Sequence, residues 1–273
     1  MKLATADVKK KGIKDVRVLF YDEKSISEFK YGNNKTLPDD ITPARLNYFK
    51  GESCEIALIS GGIDTIICGL GELSKLTAEG MRNCGAAVTS FAITKKMTGL
   101  TVFPPEQGKF SDEAALQYVA EGMALANYRF DKYRKPDNRS DKPVGLIEFR
   151  TVAADAARIV RDVEITANNT FICRDLINDT ADEINPVAFA KTASSIAKKA
   201  GIGCTILTKK DIAAKKMGLL LAVNRGSAVE PRVVVLKYKG DPSGKKMLGI
   251  IGKGITFDSG GMNLKPSGSM ETM

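Results

Sequence analysis

Short apolar runs alternate along this chain with stretches whose apolar residues recur three and four apart. That alternation constrains the fold most, because it calls for α/β layering with largely parallel sheets flanked by helices. Val16–Tyr21, Glu55–Ser60 and Thr65–Gly69 read as strands, followed by a helix from about Thr77 to Val88. Ala87–Thr94 and Gly99–Phe103 supply further strand candidates. Ser111 is placed to cap a helix of about four turns, and Tyr133–Pro143 has the polar, proline-bounded makeup of a surface loop or hairpin tip. After a strand at Val144–Phe149, an uninterrupted amphipathic pattern runs from about Ala153 to Leu176, with Val152, Ala156, Ile159, Val160 and Val163 on one face. It predicts a long helix joining two domains, 1–150 and 151–273. The second domain opens with a helix over Pro186–Ala200 closed by Gly201, then a strand at Ile202–Leu207 and a helix at Lys209–Met217. Buried-type strands follow at Arg232–Tyr238 and Met247–Gly252.

The composition excludes several kinds of chemistry. There is no histidine, which removes Ser-His-Asp and Cys-His nucleophile pairs and every metal site that needs imidazole. Acid–base or metal chemistry is left to Asp, Glu, Lys and backbone groups. Five cysteines, Cys54, Cys68, Cys84, Cys173 and Cys204, form no CxxC pair; they read as buried free thiols rather than as a disulfide framework or a thiolate zinc site. No apolar run reaches the roughly 18 residues of a membrane span, and Met1–Asp7 lacks a signal-peptide core. The expectation is a soluble, cytoplasmic protein without a membrane partner.

The formal charge of +9 is unevenly spread: residues 1–150 carry 23 basic and 20 acidic side chains, and residues 151–273 carry 18 and 12. Basic pairs such as Lys198-Lys199, Lys209-Lys210, Lys215-Lys216 and Lys245-Lys246 lack interleaved aromatics, so they read as solvated helix faces or as contacts for phosphate. Gly69-Leu-Gly71 follows a strand and reads as a tight turn, or as half of a dinucleotide fingerprint whose third glycine is missing. Ser60-Gly61-Gly62 reads as turn chemistry.

The last residues are the most specific. Lys253-Gly-Ile-Thr-Phe-Asp258-Ser-Gly-Gly-Met-Asn-Leu-Lys265-Pro follows the expected strand at 247–252 and sets two lysines and an aspartate around a glycine-rich turn. Lys253, at the mouth of an α/β sheet between two glycines that allow close backbone approach, sits where ligands usually bind. A carboxylate such as Asp258 can bridge two cations, an amine can join them when held deprotonated, and Lys265 can face charge developing on a carbonyl oxygen. The other reading is a strand, a turn and surface lysines.

This segment, with Met270 and Met273 after it, resembles the leucyl (cytosol) aminopeptidase family. Met217–Ser227 and Glu230–Tyr238 are similar to the strand and turn preceding that family's site, Arg174–Asn178 to the start of its catalytic domain, and Glu121-Gly122 with Tyr128–Tyr133 to its N-terminal domain. The resemblance implies Lys253 and Asp258 as metal ligands and Lys265 as the catalytic residue that polarises the scissile carbonyl. It implies two divalent ions, zinc, manganese or magnesium, and hydrolysis that removes N-terminal, leucine-like residues from peptide substrates. It also implies a homo-oligomer, a hexamer in the family, and an arginine that holds bicarbonate. That arginine and the remaining carboxylate ligands have no counterpart in this sequence, so the second domain is expected to be an incomplete, C-terminally truncated catalytic domain. A noncatalytic assembly role, DNA binding, and nucleotide binding by the first domain are the alternatives.

Overall fold

The computed structural model describes residues 1–7, 16–31, 37–106, 109–135, 142–244 and 246–270. Its contacts divide the chain into two compact units, 1–173 and 174–273. The division falls inside a long helix, whereas the sequence placed a domain boundary at 150, ahead of it.

The first unit is built on a six-stranded sheet. Its strands are β1 (Lys2–Asp7), β2 (Val16–Tyr21), β3 (Ile56–Ile59), β4 (Thr65–Gly69), β5 (Gly99–Val102) and β6 (Leu146–Thr151), in the order β1-β6-β5-β2-β4-β3. All neighbours are parallel except β3 and β4, which pair antiparallel at one edge. The two-residue alternation of a strand assigns its side chains to opposite faces. Val16, Val18 and Phe20 of β2, with Ile66 and Cys68 of β4, enter one core with α2 (Ala78–Thr94), α3 (Asp112–Ala126) and the first half of α4 (Ala156–Asn178). Leu19 and Ile67 enter a smaller core on the other face, with Ile26 of α1 (Glu23–Lys30) and with Leu46 and Phe49.

Two helices cross closely. A Cβ on Gly85 of α2 would lie 2.5 Å from the carbonyl oxygen of Val119, and one on Gly122 of α3 would overlap the carbonyl of Arg82. Glycine at both points lets the backbones meet. Beside the crossing Arg82 donates to Glu121 at 2.6 Å and lies over the Tyr118 ring.

Several sequence expectations need correction. Residues 87–94 are not a strand: they continue α2, with Val88, Thr89, Ala92 and Ile93 buried at helical spacing. Val152 precedes α4 and is exposed, so it is not on the helix's buried face. Strand β1 was not anticipated. Of the loop read at 133–143, residues 136–141 lie outside the described residues, as does Lys245. Among the described residues no helix is long and apolar enough to cross a membrane.

The second unit contains the end of α4, α5 (Pro186–Lys199), β7 (Gly203–Leu207), α6 (Lys209–Ala214), α7 (Gly218–Asn224), β8 (Val233–Lys237) and the short α8 (Ser267–Met270). Asn185 caps α5 through the backbone N–H groups of Val187 and Ala188, and Gly201, at φ +68°, follows its end as expected. β7 and β8 form an antiparallel pair, unlike the mostly parallel first sheet. Residues 218–224, part of the segment likened to the family's strand and turn, form the helix α7. Residues 247–252, expected as a buried strand, form no strand. Met247, Leu248, Ile250 and Ile251 are exposed, and among the described residues no strand pairs with that segment.

Candidate functional site

The three residues singled out in the sequence lie in the second unit, on irregular backbone between β8 and α8. Without a strand at 247–252, Lys253 does not stand at the mouth of a sheet. It is exposed, and its flanking glycines make no close approach: a Cβ on Gly252 would meet open space, and one on Gly254 only ordinary contact with Phe189 of α5.

Asp258 and Lys265 do come together. Lys265 Nζ donates to Asp258 Oδ2 at 2.9 Å, and the Gly260 N–H donates to Asp258 Oδ1 at 2.9 Å. The Lys265 N–H also reaches the Ser259 carbonyl at 2.9 Å, closing the loop on itself. The turn depends on Gly260, which sits at φ +91° and where a side chain would collide with the Asn263 carbonyl. Gly261 follows at φ +67°. Sequence reasoning gave Gly260 no role; the signal was a Gly-Gly pair two residues after the aspartate, the spacing at which a carboxylate accepts from the backbone it precedes.

The electrostatics follow from these contacts. The hydrogen bond from Lys265, then that from the Gly260 N–H, hold the Asp258 carboxyl below the usual carboxylate range, and the charges of Lys265 and Lys253 act in the same direction. Asp258 is therefore ionised at neutral pH, the form in which a carboxylate binds a cation. One amine and one carboxylate suit a divalent ion such as zinc, manganese or magnesium in kind. In number they supply only part of a coordination sphere, since even a catalytic zinc usually takes three protein ligands. Among the described residues no group of three or more Asp, Glu or Cys side chains is arranged to hold a metal.

Comparison with known proteins gives a consistent match across both units. The family described as "Cytosol aminopeptidase family, N-terminal domain" matches residues 44–137, and "Cytosol aminopeptidase family, catalytic domain" matches residues 171–273. A probable cytosol aminopeptidase of Protochlamydia amoebophila is 34% identical over 232 residues, covering 82% of this chain and 46% of the relative. One of Aquifex aeolicus is 32% identical over 273 residues, covering 98% of this chain and 54% of the relative. The chain thus spans about half the length of the curated relatives it matches. Among solved structures, the bottromycin maturation enzyme BotP in complex with Mn superposes with a TM-score of 0.77 at 27% identity, covering 94% of this chain and 51% of that one. A tomato leucine aminopeptidase variant superposes with a TM-score of 0.71, covering 86% of this chain and 50% of that one; at 18% identity it attests the shared fold.

Proposed function

Because this chain belongs to the cytosol aminopeptidase family, we propose that it serves metal-dependent removal of N-terminal residues from peptides. The observation that carries the reading is the Asp258 turn: a carboxylate kept ionised by Lys265 and Gly260, with Lys253 close enough to lower its pKa further. In this reading Lys253 and Asp258 hold a divalent cation, and Lys265 presents a positive charge to the carbonyl oxygen of the bond to be cut. Manganese is the first ion to try, since it is bound in BotP. Such an ion, when bound, acts as a Lewis acid and supplies a hydroxide-like nucleophile at neutral pH. Binding of two ions, preference for leucine-like residues, a bicarbonate co-catalyst and hexameric assembly belong to the same proposal.

The chain's own contribution can be separated from the rest. Asp258, fixed at Oδ1 by the Gly260 N–H, offers an ionised oxygen in a set direction. Lys265 pairs with that charge at Oδ2, and would be freed to face substrate were a divalent cation to take its place there.

Titration of the chain with Mn²⁺, followed by water-proton relaxation, tests the ligand assignment. Asp258→Asn is expected to weaken binding at least ~10-fold, in line with the loss of a charged ligand; equal binding by both proteins would remove Asp258 from the site. Hydrolysis of leucyl-anilide tests the chemistry: cleavage should need Mn²⁺ and a free α-amine, and metal-independent cleavage of the N-acetylated analogue would overturn the reading. A second reading, a noncatalytic partner of complete subunits, is favoured by the two-donor count and by the exposed apolar residues of the second unit. Mn²⁺ binding without cleavage moves the function there.

A further inference from the structure

Three of the five cysteines meet in the first unit, although they are far apart in sequence. Cys54 Sγ lies 3.7 Å from Cys84 Sγ. Cys68 on β4 points to the Cys84 carbonyl at 3.7 Å, and Cys84 on α2 points to the Gly69 carbonyl at 3.4 Å. Cys68 and Cys84 are buried, while Cys54 is half-buried and is the member that solvent reaches.

The loop carrying Cys54 is tightly built. The Glu55 carboxylate accepts from the backbone N–H groups of Lys50, Gly51 and Glu52 at 2.8–3.0 Å, which fastens the loop to its own stem. The Cys54 N–H donates to Gly69 O at 2.9 Å, and Gly69 N–H to Glu55 O at 2.8 Å. A side chain on Gly69 would collide with the Glu52 carbonyl, so glycine there lets the loop lie against the end of β4. Cys54 itself adopts φ +62°, in the left-handed region that a non-glycine residue rarely occupies unless its surroundings impose it. The loop therefore holds a thiol in a costly conformation directly over a second thiol.

We propose that Cys54 and Cys84 form a redox-active dithiol, a modification site that closes to a disulfide by exchange with a small-molecule disulfide of the glutathione class and ties the loop at 50–55 to α2. Bond formation needs the sulfurs to approach from 3.7 Å to about 2.05 Å, within reach of side-chain rotation and a small loop shift. Cys54, the accessible thiol, gives its proton to solvent and attacks one sulfur of the incoming disulfide as the thiolate; that disulfide bond breaks, and one glutathione leaves as a thiolate that solvent protonates. Cys84, as the thiolate, then attacks Cys54 sulfur, the Cys54–glutathione bond breaks, and the second glutathione leaves as a thiolate. The two cysteines lose two electrons and their protons to solvent, the small disulfide gains the electrons, and the products are one protein disulfide and two small thiols.

The surroundings of the pair suit these roles. Hydrogen bonding from Cys68, with further help from Cys54, draws the Cys84 thiol down to about 6, which favours the thiolate that the second exchange needs. Burial, and next the charge of Cys84, pushes Cys54 up to about 11, so its attack on the incoming disulfide is slow at neutral pH and quickens as pH rises. A metal-thiolate reading is weaker, because these side chains make no group of three suited to a metal. In a reducing compartment the pair stays open, and it closes when the disulfide pool rises.

The test is to equilibrate the full chain in glutathione buffers of increasing disulfide fraction, trap free thiols by alkylation, and map the peptides by mass. Expected is the loss of two of the five thiols as a linked Cys54–Cys84 peptide pair, reversed by dithiothreitol. In Cys84→Ala, Cys54 should instead retain a glutathione adduct; in Cys54→Ser, a second variant that leaves the helix untouched, Cys84 should stay unmodified. Should Cys54 and Cys84 both remain alkylatable where exposed Cys173 is already glutathionylated, the proposal is overturned. A Cys54–Cys68 link would overturn it equally.

Discussion

Asp258 shows how a single exposed carboxylate acquires direction. Its two oxygens are committed to different donors, a backbone N–H and a lysine ammonium, and both interactions favour the charged form. Its pKa is depressed in the folded chain, so its contribution to the order of the 258–265 turn is fully present above the usual aspartate value of about 3.9 and fades as pH falls through the lower folded value. An NMR titration should place Asp258 below the ordinary carboxylate range, and Lys265→Met should return it toward that range, since the largest cause is then gone. An unshifted Asp258 in the parent chain would contradict the pairing. The sequence marked each of the two as a site residue in a separate role, but their contact could not be read from it. Seven positions apart, they meet only because Gly260 and Gly261 turn the chain through positive φ. The same limit hid the thiol pair: nothing in the spacing of Cys54 and Cys84 says that one loop will fold back over one helix.

At the scale of elements, the close crossing of α2 and α3 is the most sensitive point of the first unit. Ser111 caps α3 by accepting from the Ala114 N–H, and Thr77 caps α2 by accepting from the Gly80 N–H, each contact being worth about 1 kcal/mol. The crossing itself tolerates less. Gly122→Ala places a methyl group against the Arg82 carbonyl and must push the helices apart, so a loss of roughly 1–3 kcal/mol or more is expected in urea unfolding. The same substitution at solvent-open Gly218, the first residue of α7, serves as the control, and an equal effect at both sites would refute the packing argument. Ser111 and the helix after it were legible because a cap and a periodic apolar face agree. The end of α2 was not. Its β-branched residues at 88, 89 and 93 imitate a strand, and burial against α3 and the sheet overrides that local preference.

For the molecule as a whole, the two units differ in how they handle apolar surface. The first unit buries its apolar side chains on both faces of one sheet, whereas the second exposes Leu219, Leu248, Ile250, Ile251 and Met262 almost fully. Apolar groups so exposed make association or dye binding favourable. The double variant Leu248→Ser/Ile251→Ser is therefore expected to lower anilinonaphthalene-sulfonate fluorescence and sedimentation of aggregates, with the urea midpoint of the first unit unchanged. Undiminished dye binding would place the sticky surface elsewhere. The sequence by itself determined the α/β class, most of the first sheet's strands, the long α4 and the family, because each rests on periodicity or on contiguous residues. Tertiary structure alone decided the strand order, the antiparallel β7–β8 pair, the absence of a strand at 247–252 and the meeting of three cysteines. A strand exists only where another backbone completes its hydrogen bonds, and a contact between distant residues exists only where packing closes the loop between them.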